Sequence, residues 1–287
     1  MAYTEIDDPS AYFQTTLYTG NASNNHGITN SGNSDLSPNW VWIKNKSTGA
    51  NRLFDTVRGV NVVLTTDNTS GDDDNYSSML TAFGSDGFTL ANDSDGFNVN
   101  ANNGAYVSWN WKAGTAFSND ASSTSVGSID SAGSVNTDAG FSIIAYTATG
   151  SSGTIAHGLG AVPGWMIIKC RSENGHSWKV YHKSIGATKT LALQNTGAPD
   201  DDANYHDDTE PTSSVFTIGS NGDVNDDGET FIAYCFAEKQ GYSKFGSYKA
   251  DSSSSNFIYT GFKPAWLMVR QIESGGNVNW GIFDNKR

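Results

Sequence analysis

An all-β fold is predicted for this chain by three observations: a strand-like motif that occurs three times, a polar composition dominated by turn residues, and a scarcity of helix formers. The motif reads Pro38-Asn39-Trp40-Val41-Trp42-Ile43-Lys44, then Pro163-Gly164-Trp165-Met166-Ile167-Ile168-Lys169, then Pro264-Ala265-Trp266-Leu267-Met268-Val269-Arg270. Each copy is a short apolar run behind a proline and ending on a base, the pattern of a buried strand. Only 16% of the residues are charged, and Gly, Ser, Asn, Asp and Thr fill the polar positions, which suits many turns and short strands.

The first two copies keep their spacing. Tyr106 follows Pro38 by 68 residues, and Phe231 follows Pro163 by the same 68. Tyr106-Val107-Ser108-Trp109-Asn110-Trp111 then aligns with Phe231-Ile232-Ala233-Tyr234-Cys235-Phe236. Upstream, Phe13 answers to Phe141 and to Phe245, with Tyr18 answering to Tyr146 and Tyr248. Downstream, Trp178-Lys179-Val180-Tyr181-His182 matches Trp280-Gly281-Ile282-Phe283-Asp284, and Arg52-Leu53-Phe54-Asp55 is a weaker version. Tandem β-sandwich modules of a jelly-roll-like kind follow, two complete and one partial. The expected bounds are 1–114 for the first module, 115–139 for a linker or bridging edge strand, 140–240 for the second and 241–287 for the partial third. The third copy has no counterpart of the Phe231 to Phe236 strand, so either another chain completes it or the chain is a fragment of a longer protein; the second is expected, because open strand edges invite aggregation.

In the first module, strands are expected at Trp40–Lys44, Leu53–Val57, Val60–Leu64, Phe88–Leu90 and Tyr106–Trp111, with a helical turn over Ser77–Phe83. In the second they are expected at Phe141–Thr147, Gly164–Cys170, Trp178–His182, Leu191–Leu193, Val215–Ile218 and Thr230–Ala237.

A formal net charge of −13 excludes a nucleic-acid backbone as partner, because such binding needs Lys and Arg to neutralise phosphates, and it disfavours anionic membrane surfaces. No apolar run is long enough to cross a bilayer, and Met1-Ala2-Tyr3-Thr4-Glu5 lacks the basic and apolar regions of an export signal.

Most tryptophans occupy repeated strand positions and read as core. Trp42, Trp109 and Trp111 lack an aromatic match in every copy, so they are the candidates for stacking on a sugar. Clustered carboxylates suit Ca²⁺, and Asp72-Asp73-Asp74 resembles Asp200-Asp201-Asp202; Asp72, Asp74, Asp200 and Asp202 are therefore the candidate Ca²⁺ ligands, with a solvated acidic loop as the plainer reading. Asp223-Val224-Asn225-Asp226-Asp227-Gly228 opens like an EF-hand loop, but Tyr234 stands where the bidentate carboxylate is needed, and a hairpin turn fits better. His26, His157, His176, His182 and His206 show no metal-ligand spacing. Cys170 and Cys235 read as two buried thiols rather than a disulfide. No nucleophile elbow, phosphate-binding loop, Cys-x-x-Cys or His-Glu-x-x-His is present, so no enzymatic activity and no required cofactor are expected.

The opening Ile6-Asp7-Asp8-Pro9-Ser10-Ala11-Tyr12-Phe13-Gln14-Thr15, the Pro-x-Trp strands, Trp111-Lys112-Ala113-Gly114, Asn136-Thr137-Asp138-Ala139-Gly140-Phe141-Ser142-Ile143 and the run from Ala233 to Lys244 together resemble a family of virion proteins common among marine phages, tail or virion structural proteins with no assigned activity. The resemblance implies a virion component; the reading that follows is a tail fibre or tail-associated appendage whose partners are other virion proteins and further copies of itself, with a host surface glycan as a further partner if it serves host attachment. Members of that family continue past a segment like Asp284-Asn285-Lys286-Arg287. A lectin-like carbohydrate-binding module is the alternative.

Overall fold

The structure is a computed structural model and describes residues 4–47, 51–250, 256–273 and 278–287. A 3-10 turn at Pro9–Ala11 leads into β1 (Phe13–Thr19), β2 (His26–Thr29), β3 (Trp40–Asn45), β4 (Asn51–Asp55), β5 (Leu64–Thr65), β6 (Leu80–Phe83), β7 (Gly87–Leu90) and β8 (Ala105–Trp111). Next come β9 (Thr115–Asn119), the one-turn helix α1 (Ala121–Thr124), β10 (Ser131–Asn136), β11 (Phe141–Thr147), β12 (Gly153–Ala156), β13 (Pro163–Cys170), β14 (Lys179–His182), β15 (Lys189–Ala192), β16 (Asp200–Asp201), β17 (Val215–Ile218), the short helix α2 (Gly222–Asn225) and β18 (Thr230–Ala237). The hairpin β19 (Trp266–Val269) and β20 (Gly281–Asp284) closes the described chain. The fold is all-β.

Two large antiparallel sheets run in the orders β1-β8-β3-β4-β5 and β16-β15-β14-β13-β18-β11-β10-β9. A small sheet, β2-β7-β6, covers one face of the first, and the pair β12-β17 covers one face of the second. The motif strands alternate between two cores. In β3, Val41 and Ile43 enter the sandwich core with Phe54 and Phe88, while Trp40 and Trp42 point the other way. In β13, Met166 and Ile168 enter the second sandwich core with Phe216 and Phe231, while Trp165 and Ile167 join Trp40 and Trp42 on the opposite side. Each large sheet is thus apolar on both faces, which is why the motif reads as a continuous apolar run rather than an alternation.

The second faces meet in one aromatic seam, to which β19 and β20 add Trp266, Met268 and Ile282. Trp40 lies 5.8 Å from Phe141 and 5.9 Å from Phe236, centroid to centroid. Trp165 lies 6.2 Å from Phe245. Trp266 lies 6.4 Å from Phe13 and 5.4 Å from Trp111. The motif tryptophan of each copy therefore packs against the entry phenylalanine of the next copy, and the third returns to the first. The position after Pro163 is Gly164, where a Cβ would come within 2.8 Å of the Phe245 ring, so a side chain there would push the third copy away.

Several expectations are corrected. Residues 80–83 form a strand, not part of a helical turn, and the strand expected at Val60–Leu64 is confined to Leu64–Thr65. Of the two readings of residues 115–139, the edge-strand one holds in the sense that 115–119 pair with 131–136, which in turn pair with β11, so the segment extends the second sheet rather than forming a flexible linker. The Asp223 to Gly228 stretch begins as α2, capped by the Asn221 side chain accepting from Asp223 N, not as a simple hairpin turn. As expected, Cys170 and Cys235 are free and buried, four rungs apart in register on β13 and β18.

His206 is enclosed in the second module, 5.7 Å from Tyr181, and burial pushes its imidazole down to about 4. Burial also lowers His157 and His182. A base whose folded value lies below the unfolded one is protonated first in the unfolded chain, so its stabilising effect is complete above about 6.5 and is lost as pH falls toward the folded value. Urea midpoints measured from pH 7 down to pH 4 should therefore show a loss that for His206 alone is about 3 kcal/mol, and His206→Phe should flatten most of that slope. Truncating the seam with Phe236→Ala should cost about 3–5 kcal/mol in the same measurement, since its ring contacts Trp40, Trp111, Phe141 and Trp165.

Candidate functional site

The residues that distinguish the motif converge at the joints between copies. Strand pairing fixes which positions correspond: Trp40 faces Asp55, Trp165 faces His182 and Trp266 faces Asp284. By the same registers, Thr65 of β5 corresponds to Ala192 of β15. The second copy then reaches back to the first as the third reaches back to the second. Trp178 Nε1 donates to Thr65 O at 3.1 Å, and Trp280 Nε1 donates to Ala192 O at 3.1 Å. The basic residue ending the motif does likewise: Lys169 Nζ donates to Thr69 O at 3.3 Å, and Arg270 donates to Asn195 O at 3.0 Å and to Gly197 O. Burial pushes the Lys169 ammonium down to about 8, which fits a cation held by carbonyl oxygens.

A third contact closes the ring. Tyr234 Oη in the second copy donates to Asp55 Oδ2 in the first at 2.7 Å, and Trp109 Nε1 in the first copy donates to Asp284 Oδ2 in the third at 3.2 Å. Burial acts upward on the Asp284 carboxyl, but the N–H groups of Lys286 and Arg287, the Trp109 indole and the Arg287 charge outweigh it and hold it below the usual carboxylate range. Arg287 also lies over the Trp109 ring at 5.2 Å.

The joint between the first two copies carries charge. Asp55 accepts from Arg58 Nε at 2.6 Å, with both side chains fully buried, and Arg58 Nη1 continues to Asp72 Oδ1 at 3.0 Å. Asp72 Oδ2 then accepts from Arg171 Nε at 2.8 Å. Burial opposes the Arg58 charge, but Asp55, Tyr234 and Asp72 together hold the guanidinium above its ordinary range.

These placements decide the roles of the sequence candidates. Trp42, Trp109 and Trp111 are buried in the seam, so none offers an open ring face to a sugar and the stacking expectation is corrected. Asp72 is engaged by two arginines. Asp74 is exposed on the same loop. Asp200 accepts from Tyr205 Oη at 3.0 Å, and Asp202 Oδ1 turns back onto Asn204 N at 2.9 Å. Asp72 is committed to the joint by two arginines and so is not a free Ca²⁺ ligand, while Asp74 and Asp202 stand in loops and Asp200 in the short β16, where the plainer solvated reading applies.

Histidine is where the sequence reading missed a cluster. His176 Nε2 sits 3.4 Å from Glu173 Oε2 and 3.5 Å from Asp226 Oδ2, and its Nδ1 is 3.8 Å from Asp223 Oδ1. Ligand atoms of Glu173, His176 and Asp226 fall within 4.8 Å of one another, a spacing able to receive a divalent cation of the zinc or manganese type. The same groups also face one another as a polar cluster without any ion, with Asp223 Oδ2 3.2 Å from Lys179 Nζ. Asp223 and Asp226 lie one helical turn apart, and that i, i+3 spacing was the available signal; His176 is far from them in sequence.

The charged joint makes an unequal mutational series. Asp55→Ala leaves Arg58 charged and buried, and should cost about 3–5 kcal/mol in urea denaturation. Adding Arg58→Met to that variant should restore most of the loss, because the stranded cation is then gone.

No curated protein and no solved structure matches the chain. A family model described as a domain of unknown function, DUF7483, matches residues 8–287. Its span takes in both large sheets, the seam and the closing hairpin, so the chain belongs to the DUF7483 family.

Proposed function

We propose that this protein is a non-enzymatic architectural component of a phage particle, carried in a tail fibre or tail-associated appendage with other virion proteins and further copies of itself. The observation that carries this reading is the use made of the repeated residues. The motif tryptophans, the terminal bases Lys169 and Arg270, and the strand-end residues Asp55 and Asp284 all serve contacts between copies. A repeat whose recurring side chains lock one copy to the next suits a rigid part under mechanical load. The virion context is supported by the resemblance of the opening segment Ile6–Thr15 and of the Ala233–Lys244 run to phage structural proteins.

The lectin-like alternative gains no support from the tryptophans that prompted it, because they are occupied within the seam. The test is quantitative mass spectrometry of purified particles combined with fitting of the fold into their density. A fixed small-integer stoichiometry relative to the tail proteins is expected. Absence from washed particles would overturn the assignment.

A further inference from the structure

Two separate segments of the second copy bring an imidazole and three carboxylates together. Glu173 and His176 stand on the loop 171–178 that joins β13 to β14, and Asp223 and Asp226 stand in the first turn and at the C-cap of α2. Both supports are held from beneath. Val224 O accepts from Tyr146 Oη at 2.7 Å, and the Asn225 side chain donates to Ser151 O at 2.8 Å and to Gly219 O at 2.7 Å. On the loop, His176 O accepts from Lys169 Nζ at 2.9 Å, and Ser177 N donates to Asp223 Oδ1 at 2.7 Å. The imidazole lies edge-on to the Phe231 ring, centroids 6.3 Å apart. A group of side chains fixed in this way gives up little freedom when it takes a ligand.

The spacing around the ring is that of a metal site. His176 Nε2 is 3.4 Å from Glu173 Oε2 and 3.5 Å from Asp226 Oδ2. Four zinc bonds of about 2.0–2.1 Å directed to the corners of a tetrahedron place neighbouring ligand atoms about 3.4 Å apart, so both separations match one edge of that figure. The two carboxylate oxygens come within 4.8 Å of each other, and a dication between them turns like-charge repulsion into attraction. On the far side of the ring, Nδ1 faces Asp223 Oδ1 at 3.8 Å, and Asp223 is itself held by Ser177 N and Lys179 Nζ. A carboxylate behind an imidazole favours the proton on that side and leaves the other nitrogen's lone pair for a metal.

We propose that Glu173, His176 and Asp226 bind one divalent cation of the zinc type, with water at the fourth position and Asp223 orienting the imidazole from behind. The imidazole selects against Ca²⁺ and Mg²⁺, which take oxygen ligands. The Glu173 and Asp226 side chains are 55% and 47% exposed, so the ion enters directly from solvent and takes the place that a proton on Nε2 otherwise holds.

The ion also acts on the joint between the first two copies, because the loop 171–178 grips the first. Gly175 N donates to Thr69 O at 2.9 Å, Asp72 N donates to Arg171 O at 2.6 Å, and Gly71 N donates to Asn174 Oδ1 at 2.9 Å. The approach is close enough that a Cβ on Gly71 would come within 2.5 Å of Arg171 O. Fastening the loop to α2 through the metal holds these three bonds in place.

The test is calorimetric titration of ZnCl₂ into the full chain after treatment with a chelator. One ion should bind per chain in the micromolar range or tighter, and CaCl₂ and MgCl₂ at the same concentrations should not bind. His176→Gln and Glu173→Gln should each weaken binding at least about tenfold; Glu173 is exposed, so its variant keeps the fold. His26→Gln, outside the cluster, should leave the affinity unchanged. With zinc at about 100 times its Kd, hydrogen exchange at the amides of Gly71, Asp72 and Gly175 should slow at least about tenfold. Absence of saturable zinc binding, or equal binding by both cluster variants, would overturn the site, and binding with unchanged exchange at those three amides would overturn its action on the joint.

Discussion

The structure depends on a single constraint: each large sheet is apolar on both faces, and its own small sheet can cover only one of them. The uncovered faces of β3 and β13 carry Trp40, Trp42, Trp165 and Ile167, and exposed patches of that kind associate. Packing them against one another and against Trp266 removes that area from water. Burial of large aromatics dominates such cores, and each well-placed ring pair adds about 0.5–1.5 kcal/mol. The indole N–H groups of Trp40, Trp42 and Trp266 lie buried without a hydrogen-bond acceptor, so these positions hold tryptophan for its area and shape and not for its polar atom.

Around this apolar centre the polar contacts set orientation. An aromatic seam alone would tolerate sliding, since ring packing is weakly directional. The indole bonds from Trp178 and Trp280 to equivalent carbonyls, and the basic side chains reaching Thr69 and Gly197, fix the same rotation at two successive joints. The Asp55–Arg58–Asp72–Arg171 chain adds specificity at one joint at a desolvation cost, and its value lies in the penalty for separating the charges. By the register that matches Asp55 to His182, Ile185 stands where a counterpart of Arg58 would fall in the second copy, so the charged device belongs to the first joint.

The strands of the motif were legible because their apolar runs are bounded by proline and a base, and the conserved interval to Tyr106 and Phe231 exposed the second landmark strand. The meaning of the run was less legible. Apolar residues at every position from Trp40 to Ile43 signal cover on both faces, and only the assembled structure shows that the second cover is another copy. Trp109 and Trp111 were set apart for lacking an aromatic match in every copy, although Tyr234 and Phe236 match them within the second. β9 and β10 are rich in Ser, Thr, Asn and Gly with isolated Phe117 and Val135, a composition that suggests a linker; the pairing of β10 with β11 and of β9 with β10 overrides it. The His176 cluster joins two i, i+3 pairs, Glu173 with His176 and Asp223 with Asp226, that lie 50 residues apart, and nothing in the sequence announces that they meet.

Calorimetric unfolding tests the account most directly, because a shared seam makes the copies one cooperative unit whereas independent sandwiches would melt separately. The account predicts a single endotherm with calorimetric and van't Hoff enthalpies in agreement. Two resolved transitions, one for each sandwich, would contradict it.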